Sequence, residues 1–178
     1  ATWAVTGNVG TVSAFSFLEN TKIRATGNIA SVTVGAMKDS LLFAGVAATV
    51  TALPTAAADF TSQSTIGKFT IVGVPTAVSA SSFSNSIVAA STITSASLVN
   101  VQTDNTANAH KALGLAGKTF GAVSWKQGAA SYKWPSPWPL DSDDFGADFV
   151  AKLTDLFMEA YNLGAAKDQE FEADKTAL

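Results

Sequence analysis

The chain of 178 residues contains no cysteine, a single histidine and a single arginine. The missing cysteines exclude disulfides and thiolate metal sites and leave the redox compartment open. The one histidine, His110, lacks the partners that an imidazole metal centre or a Ser-His-Asp set would need. It sits in the polar, turn-rich stretch QTDNTANAHK (102–111) and reads as a solvated loop residue. No glycine-rich phosphate loop or dinucleotide fingerprint occurs. No basic segment followed by an apolar one opens the chain as a secretory signal would. No run reaches the roughly 18 apolar residues that a membrane-spanning helix needs.

Charge is scarce too. Only 14% of residues are charged while 47% are hydrophobic, which excludes a disordered chain and leaves ample material for a core. The net charge is −3. Residues 1–140 carry eight Lys/Arg against four Asp/Glu, and residues 141–178 carry three against ten. Neither part has the dense basic stripe of a nucleic-acid binder. The four acids of the first part, Glu19, Asp39, Asp59 and Asp104, are dispersed. Asp39 and Asp59 have the spacing to stack in a repeat of about 20 residues, but both fall at turn positions, where Asp is common for backbone reasons. Without clustered carboxylates, a polysaccharide lyase or hydrolase is the weakest of the functional readings, and the chain reads as no enzyme and as needing no cofactor.

What is present is a degenerate repeat, clearest in Thr21–Gly45, TKIRATGNIASVTVGAMKDSLLFAG. One element is a small polar residue, a short apolar strand and a small residue: Asn20–Ala25, Asp39–Ala44 and Asn85–Ala90. The other is a branched residue, two spacers and alternating apolar positions: Val9-Gly10-Thr11-Val12, Ile29–Val34, Ile66–Ile71 and, more weakly, Ile93–Leu98. Thr6-Gly7-Asn8 returns as Thr26-Gly27-Asn28, and Val46 and Ile66 stand at the same separation. A period of about 20 residues with β-branched strands and Gly/Asn corners is the pattern of a solenoid. Alternation gives each strand one buried face, and Gly and Asn tolerate the positive φ of sharp corners. An antiparallel sandwich is the competing reading. The recurrences and the lack of paired hairpin signals favour the solenoid.

The expected architecture is therefore all-β, a parallel β-helix (β-solenoid) over residues 1–126, followed by an aromatic strap, a C-terminal amphipathic helix and a charged tail over 127–178. Leu113–Trp125 reads as the last strands, and Phe15, Phe17 and Leu18 read as core. Val46–Gln63 reads as the end of a strand, closing at Val50 or Leu53, and then a loop, and Pro75–Ser82 reads as a second loop. The strap Tyr132–Pro139 is stiffened by proline. Its Trp134 and Trp138 either stack on sugar rings or cover an exposed end of the core. Asp141-Ser142-Asp143-Asp144 departs from a calcium-binding loop at Phe145 and Lys152 and suits the N-terminus of a helix better. Phe145, Phe149, Val150, Leu153, Leu156, Phe157, Ala160 and Tyr161 recur at helical spacing, with Gly164 as a stop.

The lines GNIASVTVGAMKDSLLFAGV and STIGKFTIVG with FSNSIVAAS resemble β-strand repeats of large extracellular surface proteins of planctomycete-type bacteria. More loosely, they are similar to right-handed β-helices of the filamentous-haemagglutinin kind. The resemblance spans about residues 3–125 and implies secretion or surface display, with a structural or adhesive role. Thr2, Trp3 and Val5 already alternate at the start with no polar cap before them, so Ala1 reads as a processed end or as an end that docks on something. The leading expectation is a non-catalytic extracellular or cell-surface module that assembles through its solenoid ends, with copies of itself or with a longer parent chain. The alternative is a carbohydrate-binding module that uses Trp134 and Trp138 on a polysaccharide.

Overall fold

A computed structural model describes residues 1–74, 81–134 and 149–153. Short and long strands alternate along them. The short ones are β1 (Thr2–Val5), β3 (Lys22–Ala25), β5 (Leu41–Ala44), β8 (Ile87–Ala90) and β10 (Leu113–Gly117). The long ones are β2 (Val9–Glu19), β4 (Ile29–Lys38), β6 (Thr65–Ile71), β9 (Thr92–Val99) and β11 (Thr119–Gln127). The two-residue β7 (Phe83–Ser84), the hairpin strand β12 (Ala130–Trp134) and β13 (Phe149–Leu153) complete the set. The short strands and β13 form one parallel sheet in the order β1-β3-β5-β8-β10-β13. The long strands form a second in the order β2-β4-β6-β9-β11-β12, parallel throughout except for β12. Stacked coils of two parallel sheets are the solenoid arrangement, and the sandwich alternative fails on strand direction.

The apolar positions line up coil on coil. Ile29, Ile66 and Ile93 share one register column, and Val32, Phe69 and Ala96 share another. Ile23 pairs with Leu42, Leu42 with Val88 and Val88 with Leu115. All of these are buried. Bulk is matched across the interior: Ala96 leaves room beside Phe69, whose ring meets Phe83 edge-on at 6.1 Å and 74°.

Two corners explain the sequence repeat. At one, Asn20, Asp39 and Asn85 have φ of 49°, 48° and 41°, a region Asn and Asp tolerate. Each precedes a buried hydroxyl, Thr21, Ser40 or Ser86, which donates to the carbonyl two residues back at 2.9, 2.6 and 2.7 Å. Two of these hydroxyls also accept a backbone N–H from the neighbouring coil: Thr21 N–H reaches Ser40 Oγ at 3.0 Å, and Ser40 N–H reaches Ser86 Oγ at 3.1 Å. At the other corner, Asn8 Oδ1 accepts from Asn28 N–H and Asn28 Oδ1 from Thr65 N–H, both at 2.8 Å. A Cβ on Gly27 would lie 2.3 Å from Asn8 Oδ1, so the returning Thr-Gly-Asn records a steric need.

Several expectations need correction. Val46 and Ile66 do not share a column: Val46 bridges Phe60, and Ile66 pairs with Ile29. Their spacing is the length of an insertion, residues 45–64, whose Leu53 and Phe60 bury Phe43, Ile87 and Ala116 on the outside of the first sheet. Arg24 holds that insertion. Its guanidinium lies 4.7 Å from the centre of the Phe43 ring and donates to the Ala47 carbonyl at 3.1 Å and to the Val50 carbonyl. Of the three residues assigned to the core near the first corner, only Leu18 is buried; Phe15 is fully exposed and Phe17 is 41% exposed. The cause is a bulge. Between Ala14 and Phe17 the register to β4 slips, and Phe15 swings outward.

The strands also continue past Trp125. Gly128, at φ 59°, turns β11 into the antiparallel β12. Phe149–Leu153, expected as helix, is strand β13, paired in parallel with β10 from Leu113↔Phe149 to Gly117↔Leu153. Phe-Val-Ala-Lys-Leu fits a period of 2 as well as 3.6 over so few residues, and the unpaired edge of β10 decides between them. The remainder of the expected helix, the acidic run Asp141–Asp144 and Trp138 lie outside the described residues.

Candidate assembly interface

The apolar columns run through the coils and end at β1 and β2. Trp3 occupies the column of Ile23, Val5 that of Ala25, Val9 that of Ile29, Val12 that of Val32, and Ala14 that of Val34. Each of these partners in β3 and β4 is buried. On the first coil, however, Trp3 is 50% exposed, and Val5, Val9, Val12 and Ala14 are only partly covered. Trp3 is thus a core residue by register and a surface residue by exposure. The interior of the solenoid reaches solvent there.

The backbone at this end is equally open. Among the described residues β1 pairs only with β3, and β2 only with β4. The outer edges of both strands therefore present N–H and C=O groups with no strand beside them. Edges are usually blunted by charge or proline. Here no charged residue or proline occurs among residues 1–18. The one interruption is the bulge at Phe15-Ser16, which presses its carbonyls on Gly35; a Cβ there would lie 2.4 Å from the Ser16 oxygen. The regular stretch from Val9 to Ala14 remains available for pairing.

The other candidate residues fall apart spatially or outside the description. Thr2 belongs to the column of Lys22 and Leu41, beside the Trp3 column. Trp134 ends β12, opposite Val123, and Trp138 is outside the described residues. The acids serve backbone and corners. Asp39 Oδ1 accepts from Asn85 Nδ2 at 2.6 Å, and Asn85 Oδ1 accepts from buried Asn105 Nδ2 at 3.0 Å. Asp59 Oδ2 accepts the Thr55 and Ala56 N–H groups at 2.8 and 3.0 Å, so Asp39 and Asp59 do not stack. Asp104 is held below its ordinary carboxylate range, first by the Thr106 hydroxyl, then by the Thr106 N–H, with His110 adding a smaller charge effect. Sequence reading missed the contribution of β2 to the open end. The signal was present in Val9, Val12 and Ala14, which repeat the pattern of Ile29, Val32 and Val34 without the burial.

No family model, curated protein or solved structure matches the chain.

Proposed function

We propose that this chain is a non-catalytic extracellular or cell-surface structural module that assembles by stacking another β coil on its first coil. The supporting observation is the apolar rung Trp3, Val5, Val9, Val12 and Ala14, half-open to solvent between two unpaired strand edges. Closing such a rung removes apolar area from water and pairs edge backbone groups in one step. The partner is the same end of a second copy. Both copies offer the same row, and a contact between like patches closes on itself as a two-fold pair. A coil from a longer parent chain would meet the same edge, and concentration separates the two. Hydrogen exchange of the β2 amides that face away from β4 is the test. The proposal expects their protection to rise with protein concentration. Fast exchange at every concentration would refute it, and slow exchange at every concentration would refute the second copy as the partner.

A further inference from the structure

The outer face of the second sheet has its own chemistry. Its outward positions carry hydroxyls on successive strands: Ser31 and Thr33 on β4, Thr70 on β6, Ser95 and Ser97 on β9, and Ser124 on β11. The register sets Thr70 beside Ser97 and Ser97 beside Ser124, a column with strand spacing of about 4.8 Å. Exposed Lys68, Lys126 and Lys133 stand on the same sheet. No Asp or Glu occurs in β6, β9, β11 or β12. Lys126 lies opposite Ser131 and Lys133 opposite Ser124, so the two ammonium groups start from diagonal positions about 7–8 Å apart. Like charges at that range repel unless an anion lies between them.

The column is also concave. A cleft of about 290 Å³ has Thr70, Ser97, Ser124, Lys126 and Ser131 on its wall beside apolar residues that include Trp125. That volume suits one sugar ring rather than a larger ligand. Thr70 Oγ1, on its wall, is shielded from solvent and has no hydrogen-bond partner, which leaves its donor and both acceptor lone pairs unspent.

We propose that this face binds an acidic polysaccharide, with one anionic sugar seated in the cleft. Its acid group would lie between Lys126 and Lys133, and its hydroxyls would meet those of Ser97 and Ser124, with Thr70 joining them once its side chain rotates into the cleft. Hydroxyl-bearing surface favours a glycan over nucleic acid, because Trp125, the aromatic residue at the cleft, is only 5% exposed and offers a base little ring face to stack on. The face is separate from the open end of the first coil, so either proposal can fail alone.

The test is affinity electrophoresis of the full chain in gels holding polygalacturonate, dextran sulfate or neutral dextran. A single-stranded DNA gel shift is run beside it. The expected result is retardation by the carboxylated or the sulfated polymer, weakening with salt, and none by dextran. The double variant Lys126→Gln/Lys133→Gln, both exposed and with the parent's unfolding midpoint, is expected to lose roughly tenfold in affinity. Equal retardation by dextran, DNA binding as tight as glycan binding, no binding to either acidic polymer, or an unchanged double variant would overturn the proposal.

Discussion

Ser40→Ala isolates the device that fixes one solenoid corner. Ser40 is 1% exposed, and its hydroxyl does two things at once. It donates to the Lys38 carbonyl at 2.6 Å, with the Leu18 carbonyl 3.2 Å away, and it accepts the Thr21 N–H of the preceding coil at 3.0 Å. Truncation leaves that buried N–H without an acceptor, which costs about 1–3 kcal/mol, and removes a donor worth about 0.5–1.5 kcal/mol net. The expected loss is about 1.5–4.5 kcal/mol, read from urea unfolding as a lower midpoint at unchanged slope. Ser40→Thr keeps the hydroxyl, as Thr21 does at the same corner, and is expected to recover most of the loss. If Ser40→Ala stays within about 0.5 kcal/mol of the parent, the hydroxyl column is not what holds the coils in register.

Three further outcomes follow from the packing and the charges. Gly27→Ala places a methyl 2.3 Å from Asn8 Oδ1 and 2.9 Å from the Gly7 carbonyl, and is expected to cost about 1–3 kcal/mol in urea unfolding; a neutral result would contradict the cradle. Phe69→Ala empties a fully buried site whose register mate is Ala96, so little can fill the gap, and a loss of about 3–5 kcal/mol is expected in the same assay. Asp104 has a lowered pKa in the fold, so the support it gives the turn at Thr106 is present above its unfolded value and lost as pH falls through the folded one. An acid titration of the Thr106 amide signal is expected to show a midpoint below the ordinary Asp value, and a midpoint at or above it would remove the effect.

The parts legible in sequence were those whose physics repeats with each coil. Ile29, Val32 and Val34 stack on Ile66, Phe69 and Ile71 in the order that alternation implies, because a parallel register preserves position along the strand. Thr-Gly-Asn marked a corner since only glycine fits beside the Asn8 side chain. Insertions hid the rest. Ser40 and Ser86 are neighbours 46 residues apart, because the insertion at residues 45–64 lies between them, and its length mimics one repeat. The bulge that exposes Phe15 leaves no composition signal, because Phe-Ser-Phe-Leu reads as core until its register is known. Phe149–Leu153 was misread because five residues fit two periods, and only the edge of β10 selects one. The open core end was half visible in Trp3 and Val5; its larger half on β2 required knowing which columns terminate there.

If the first coil is an interface, light scattering across a concentration series will register it as a change in mass. The parent chain is compared with Val12→Lys, which puts an ammonium on the open rung beside Val32 while leaving the buried coils intact. The unsubstituted chain is expected to rise in mass toward that of a pair with concentration, and the folded variant to stay at the mass of one chain. A parent at the mass of one chain throughout, as stable as its variant, would contradict the interface.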